Sequence, residues 1–201
     1  VDAEEAALVE EVVDRLLASP HYGERWGRHW LDVARYADTK GYVYGDREEA
    51  RFVHSYVYRD WVVRALNEDM PYDRFLLYQI AGDQLATDTD NQDLAAMGFL
   101  TLGRRFLGVM HDIIDDRIDT LMRGTQALTV GCARCHDHKF DPIPTEDYYS
   151  LYGIFSNSSE RTVELATNVE KNDAYKAYKE QHDARVTDYR RKFEDKADEL
   201  S

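Results

Sequence analysis

Apolar residues recur along this chain at threes and fours, the spacing that puts them on one face of a helix. Leu8, Val9, Val12, Val13, Leu16 and Leu17 form the first stripe, and Pro20 marks its end. A second helix carries Trp26, Trp30, Val33, Ala34 and Ala37 on one face, with Arg25, Arg28, Asp32 and Arg35 elsewhere. Tryptophans four apart on a helix are core residues far more often than ligands. Both indoles are therefore expected to be buried, against the cysteine-bearing segment described below or the helix before it. "DTKGYVYGD" reads as a loop, and a third helix carries Val53, Val57 and Trp61 and ends near "NEDMP". Pro71 opens a fourth, with Gly82 as its expected C-cap. The polar "ATDTDNQD" precedes a short helix through Phe99 that Asp90 or Asn91 caps. "LTLGRRFLG" fits no template. Ile114, Ile118, Leu121 and Thr125 then share a side of a long helix, and Thr145 is expected to cap "EDYYSLYGIF".

The pattern changes after that. From about Asn172 to Leu200 the chain is dense in charge and free of Gly and Pro. Tyr178, His182, Val186, Tyr189, Phe193, Ala197 and Leu200 make a narrow stripe. Its 11-residue echo gives a period of about 3.67, which favours a straight or gently right-handed coil. So narrow a face needs a partner helix, and none is evident in the chain. Half of a coiled-coil hairpin, or a helix that pairs in an oligomer, is the expectation. No segment alternates convincingly as a strand. The fold class expected is all-α: a bundle of about seven helices over 1–165, followed by a coiled-coil-like helix over 166–201.

Charge narrows the partners. Among 201 residues there are 25 basic and 39 acidic, a formal charge of -14. That argues against a nucleic-acid backbone or an anionic membrane surface as the main partner. No apolar run approaches the roughly 20 residues a membrane helix needs. The acidic, amphipathic start is not a signal peptide.

The chemistry concentrates in "GCARCHDHKFDP", Gly131 to Pro142, which holds both cysteines of the chain. Cys132, Cys135 and His136 match the Cys-X-X-Cys-His signature of covalent c-type haem attachment. Two thiols at this spacing reach the two vinyl groups on one porphyrin edge, and the following imidazole supplies an axial ligand. Three other chemistries fit two cysteines. One is a Cys132–Cys135 disulfide in an oxidising compartment. The second is a zinc or iron site using both cysteines and two of His136, His138 and His111, although no distant second ligand pair exists. The third, a thioredoxin-like redox pair, needs a βαβ context that is missing. His138 stands close to the motif as a candidate proton-handling group. Asp116 is the other candidate catalytic residue, in a charged set with Asp115, Asp119, Arg117 and Arg123 on the helix before the motif. For the other axial position His111 ranks first and Met110 second, ahead of Met122, His54 and His29. An open position ranks beside them. If haem is absent, a disulfide or free thiols beside a cavity are expected.

Three blocks, "LLASPHYGERWGRHWLDVARYADTKGY", "YRDWVVRALNEDMPYDRFLLYQIAGD" and "DDRIDTLMRGTQALTVGCARCHDHKFDPIPTEDYYSLYGIF", resemble the hallmark segments of a domain-of-unknown-function family. That family is abundant in large secreted proteins of planctomycetes and related bacteria. The resemblance covers about the first four fifths of the chain and includes Cys132, Cys135 and His136, extended by Asp137, His138, Lys139, Asp141 and Pro142. It implies export to the periplasm or cell surface and a multi-domain context with a neighbouring cytochrome-c-like domain. It implies no settled reaction. "LGRRFLGVMHDII" departs from the Gly- and Glu-rich segment that many members carry there. The expected function is a c-type haem module for electron transfer or haem-based oxidoreductase chemistry, with a redox partner or the neighbouring cytochrome-c-like domain. The alternative is a non-catalytic scaffold with a Cys132–Cys135 disulfide, or a Cys/His metal site.

Overall fold

A computed structural model describes residues 3–45, 49–85, 91–163, 165 and 173–199. Among them are eight α-helices and no strand: α1 (Ala3–Leu17), α2 (His21–Val33), α3 (Tyr56–Asn67), α4 (Tyr72–Leu85), α5 (Gly98–Thr101), α6 (Met110–Gln126), α7 (Thr145–Ser156) and α8 (Asp173–Glu199). Three 3-10 turns, Gln92–Met97, Phe106–Gly108 and Val130–Arg134, lie between them. The class is all-α. The chain divides into two compact units, 1–165 and 166–201.

The first unit has two clusters of buried side chains. Tyr58, Trp61, Val62, Phe75, Phe99 and Leu100 centre one, among α2, α3, α4 and α5. Ile114, Ile118, Val130, Ala133 and Tyr148 form the other, where α6 and α7 close over the Val130–Arg134 turn. Phe155 packs against both and so links them. Inside the first cluster, Gln79 is fully buried and accepts hydrogen bonds from Trp30 Nε1–H (2.8 Å) and Tyr58 O–H (2.7 Å).

The tryptophan expectation is corrected. Trp30 is half-buried and packs on Phe75 (4.9 Å) and Phe99 (5.5 Å), in the cluster remote from the cysteines. Trp26 is 52% exposed, beside Tyr22 and His29. The reason is the face α2 presents to α3. Its buried positions are Gly23 and Gly27, and a Cβ on Gly23 would stand 2.3 Å from the Val63 carbonyl oxygen. The stripe that buries is 23–27–30–34, and Trp26 lies off it.

Other local expectations also shift. Leu8, Val9, Leu16 and Leu17 on α1 are exposed by more than half. Val53 lies before α3 and is exposed. Gly82 does not cap α4, which bends at Ala81 (φ -139°, ψ 33°) and continues to Leu85. Gly82 instead lets Met97 approach, 3.3 Å from where its Cβ would stand. Asp90 lies outside the described residues, and Asn91 precedes a 3-10 turn without a side-chain capping bond. Thr145 is the first residue of α7 rather than its cap, and its N–H donates to Asp137 Oδ1 at 2.9 Å. In the second unit α8 is a single helix. Tyr178 and Tyr189 on its stripe are exposed, and Asp188 pairs with Arg191 and Lys192. The side chains of Phe193, Ala197 and Leu200 lie outside the described residues.

Candidate functional site

Helix α6 ends at Ala127 in a left-handed conformation (φ 58°), which turns the chain into the 3-10 segment Val130–Arg134. Val130 and Ala133 anchor that turn in the second core cluster. Between these anchors the turn presents Cys132 outward, with Cys135 and His136 immediately after. All three are exposed, and both cysteines are free thiols. The chain therefore buries the residues flanking the chemical groups and leaves the groups accessible.

His136 has a defined tautomer. Its Nδ1 lies 2.7 Å from the Asp137 carbonyl oxygen. A carbonyl only accepts, so Nδ1 carries the proton, and in the neutral ring Nε2 then keeps its lone pair. Metal-binding histidines are oriented by this kind of outer bond.

Three supports hold the loop that follows. The His138 N–H donates to the Ile143 carbonyl at 2.9 Å. The His138 side chain, only 6% exposed, accepts the Asp141 backbone N–H at Nδ1 (2.9 Å) and places Nε2 3.0 Å from Thr129 Oγ1. Its ring thus staples the residues after the motif to those before it. A carboxylate oxygen of Asp141 lies 3.1 Å from Nδ1. That contact becomes an ion pair only in a protonated ring, which would forfeit the backbone donor. In the neutral form both ring nitrogens are engaged structurally.

Arg134, inside the motif, faces α6: its Nη1 lies 3.5 Å from Asp115 and 3.7 Å from Asp112. Tyr148 is buried and donates its O–H to Asp115 Oδ1 at 2.7 Å. Burial, and then the Asp115 carboxylate beside it, push the Tyr148 phenol well above its ordinary pKa. The Tyr149 O–H donates to the Arg134 carbonyl at 3.2 Å. Tyr148, Tyr149 and Tyr152 contact one another, and Tyr152 stacks on His111 with its hydroxyl bonded to His111 Nδ1.

The charged set on α6 is thus split by the helix's rotation. Asp112 and Asp115 point to the motif, whereas Asp116 is committed to Arg35 (2.6 Å), Asp119 to Arg123 (2.7 Å), and Arg117 is buried. His111 and Met110 are exposed at the start of α6, and His111 is joined to the motif's neighbours through the tyrosines. Met122 packs in the second core cluster, while His54 and His29 are exposed beside Tyr56 and Trp26. Among the described residues, no three His, Cys, Asp or Glu side chains converge as a metal-binding group. Two pockets in the first unit are lined by residues outside the motif, so neither is the cavity expected beside the thiols. Arg134, Asp112 and the tyrosines were not singled out from sequence. The i, i+1, i+4 spacing of Tyr148, Tyr149 and Tyr152 was the available signal.

These features define a class: an all-α domain that displays two thiols and an imidazole on one surface turn, braced by a tyrosine- and carboxylate-lined helix pair. The family described as PSCyt2, protein of unknown function (DUF1549), matches residues 1–160, and the chain belongs to it. No curated protein and no solved structure matches the chain. No helix among the described residues is long and apolar enough to cross a membrane.

Proposed function

We propose that the domain is a covalent haem c module of an exported multi-domain protein, serving electron transfer or haem-based oxidoreductase chemistry. The observation that carries the reading is the combination at one turn of two free, exposed thiols and an imidazole whose Nδ1–H is spent on a carbonyl. Cys132 and Cys135 would hold the group through thioethers, and His136 Nε2 would bind its iron. Bound there, haem supplies one-electron redox chemistry. The chain's own part is to fix the turn through Val130 and Ala133, orient His136 through Asp137, and place Arg134 and its carboxylates next to the motif. His111, then Met110, remain the side chains proposed as a second protein ligand to that iron. Export and a cytochrome-c-like neighbour as redox partner belong to the same proposal.

The test is expression in a host that matures c-type haem. The expected product has a Soret band that survives acid–acetone extraction and is lost in Cys132→Ser/Cys135→Ser. Carbon monoxide should bind the ferrous wild type slowly and His111→Ala rapidly if His111 ligates. A colourless protein from that host would reject the haem reading and favour the non-catalytic scaffold.

A further inference from the structure

A second constellation lies away from the cysteines, and the haem reading makes no use of it. Arg35, Arg104, Arg105 and Arg117 line one small cleft together with Gly103. Arg104 lies over the rings of Tyr42 (5.7 Å) and Phe106 (5.3 Å). Among the described residues the other three guanidiniums share only two carboxylates. Arg35 Nε donates to Asp116 at 2.6 Å and its Nη1 to the Phe99 carbonyl at 2.9 Å. Its Nη2 is buried with no hydrogen-bond partner among the described residues. Arg117, 8% exposed, donates Nε–H to the Leu100 carbonyl at 3.0 Å and Nη2–H to Glu160. Arg105 grips Glu160 with a two-pronged fork, Nη1 to Oε1 and Nη2 to Oε2, both 2.8 Å.

Buried like charges are costly unless paired. Burial, and then the charges of Arg105 and Arg35, hold Arg117 below the ordinary guanidinium pKa. The frame is also strained. Arg35 (φ 51°), Phe106 (φ 44°) and Leu107 (φ 57°) all sit in the left-handed region although none is glycine. Such outliers persist where surrounding structure holds them, and they cluster at binding sites. A Cβ at Gly103 would stand 2.4 Å from Asp116 Oδ2 and 2.5 Å from Arg35 Nη2, so a larger residue there would displace the ends of this pair. The carboxylate that completes the fork comes from outside the frame. Glu160 lies in the stretch after α7 and is the only carboxylate bonded to either Arg105 or Arg117 among the described residues.

We propose that Arg105 and Arg117, backed by Arg35, form a binding site for a small carboxylate ligand, and that Glu160 is an internal occupant which such a ligand displaces. The group the fork already holds is a carboxylate, gripped through both oxygens, and a carboxylate ligand reproduces that contact. A tethered competitor acts at an effective concentration in the millimolar range. Removing it should expose the affinity of the frame.

The probe is oxalate, titrated calorimetrically into the full chain at constant ionic strength, with sulfate as the tetrahedral comparison. Glu160→Ala should bind oxalate at least about tenfold more tightly than wild type. Glu160→Ala/Arg105→Gln should lose that gain. Sulfate should bind Glu160→Ala more weakly than oxalate does. Equal oxalate affinity in wild type and Glu160→Ala would overturn the site, as would a gain that survives Arg105→Gln. Sulfate binding as tight as oxalate would overturn the carboxylate assignment. Should Glu160→Ala fail to fold, trypsin cleavage of the wild type after the exposed Arg161 serves instead. Oxalate should accelerate it relative to sodium chloride of equal ionic strength, and an unchanged rate would overturn displacement.

Discussion

The Trp30–Gln79–Tyr58 triad allows a graded test of how the first core cluster is held. Gln79 is fully buried, accepts from Trp30 and Tyr58, and donates Nε2–H to the Phe75 carbonyl at 3.0 Å. Trp30 Nε1–H also reaches the Tyr58 hydroxyl at 3.1 Å. Tyr58→Phe removes the O–H bond to Gln79 and the longer branch of the shared Trp30 N–H, yet orphans nothing, because Trp30 and Gln79 keep each other. Its cost should be about 0.5–1.5 kcal/mol. Gln79→Leu fills the same space but leaves the Tyr58 O–H buried without an acceptor, a penalty of about 1–3 kcal/mol. Gln79→Ala adds a cavity to that penalty, for a total of roughly 3–5 kcal/mol. The assay is urea unfolding followed by tryptophan fluorescence, since Trp26, Trp30 and Trp61 all lie in the first unit. With a slope of about 2 kcal/mol/M, Gln79→Leu should lower the midpoint by about 1 M. Tyr58→Phe costing as much as Gln79→Leu would refute the reasoning, because the orphaned hydroxyl would then add nothing to the loss of the bond.

Two further outcomes follow from single contacts. Tyr148→Phe deletes a bond to the Asp115 carboxylate, which keeps Arg134 and partial solvation, so it should destabilise by about 1–2 kcal/mol in urea unfolding; a loss below about 0.5 kcal/mol would mean water replaces the phenol. Asp38 accepts from Ser55 Oγ–H (2.7 Å) and then Tyr36 O–H (3.1 Å), which hold its carboxyl below the ordinary value. A depressed native pKa gives stability that is complete above the unfolded value of about 3.9 and lost as pH falls through the native one. The Tm gap between wild type and Asp38→Asn should therefore be open at pH 5 and close toward pH 2.5, and a gap that widens on acidification would contradict the assignment.

The long helices were legible because their apolar spacing is regular and tertiary packing agrees with it. Ile114 and Ile118 are fully buried, as their period requires. Reading failed where bulk stood in for burial. On α2 the sequence offers two tryptophans, yet the contact with α3 is made by Gly23 and Gly27, because two backbones at close approach need the smallest side chains there. Of the cysteine motif the sequence displays the pattern, Cys132, Cys135 and His136 at fixed spacing. Its supports were not legible. Asp115 rather than Asp116 faces Arg134, and one residue of helical rotation, about 100°, decides that. The arginine frame was illegible for a different reason. It joins Arg35, Arg105, Arg117 and Glu160 from four separate stretches, and "LGRRFLG" carries no periodicity to place Arg105.

The placement of the supports bears on what the motif can do. Cys132 and Cys135 are exposed, so cofactor attachment would not require the core to open. The core instead holds the intervening Ala133, and the carboxylates of α6 hold Arg134. Asp137 does two jobs: its carbonyl sets the His136 tautomer, while its carboxylate caps α7. Helix α7 in turn carries Tyr148 to Asp115 and Tyr149 to Arg134. The motif, α6 and α7 therefore constrain one another in a closed loop of contacts. A site held rigid before any cofactor arrives loses less ordering entropy on binding. It also places the phenols of α7 and the imidazole of His111 in one connected cluster that reaches the motif through Tyr149 and Arg134. That cluster, rather than the three motif residues alone, is the unit whose chemistry the proposed haem would meet.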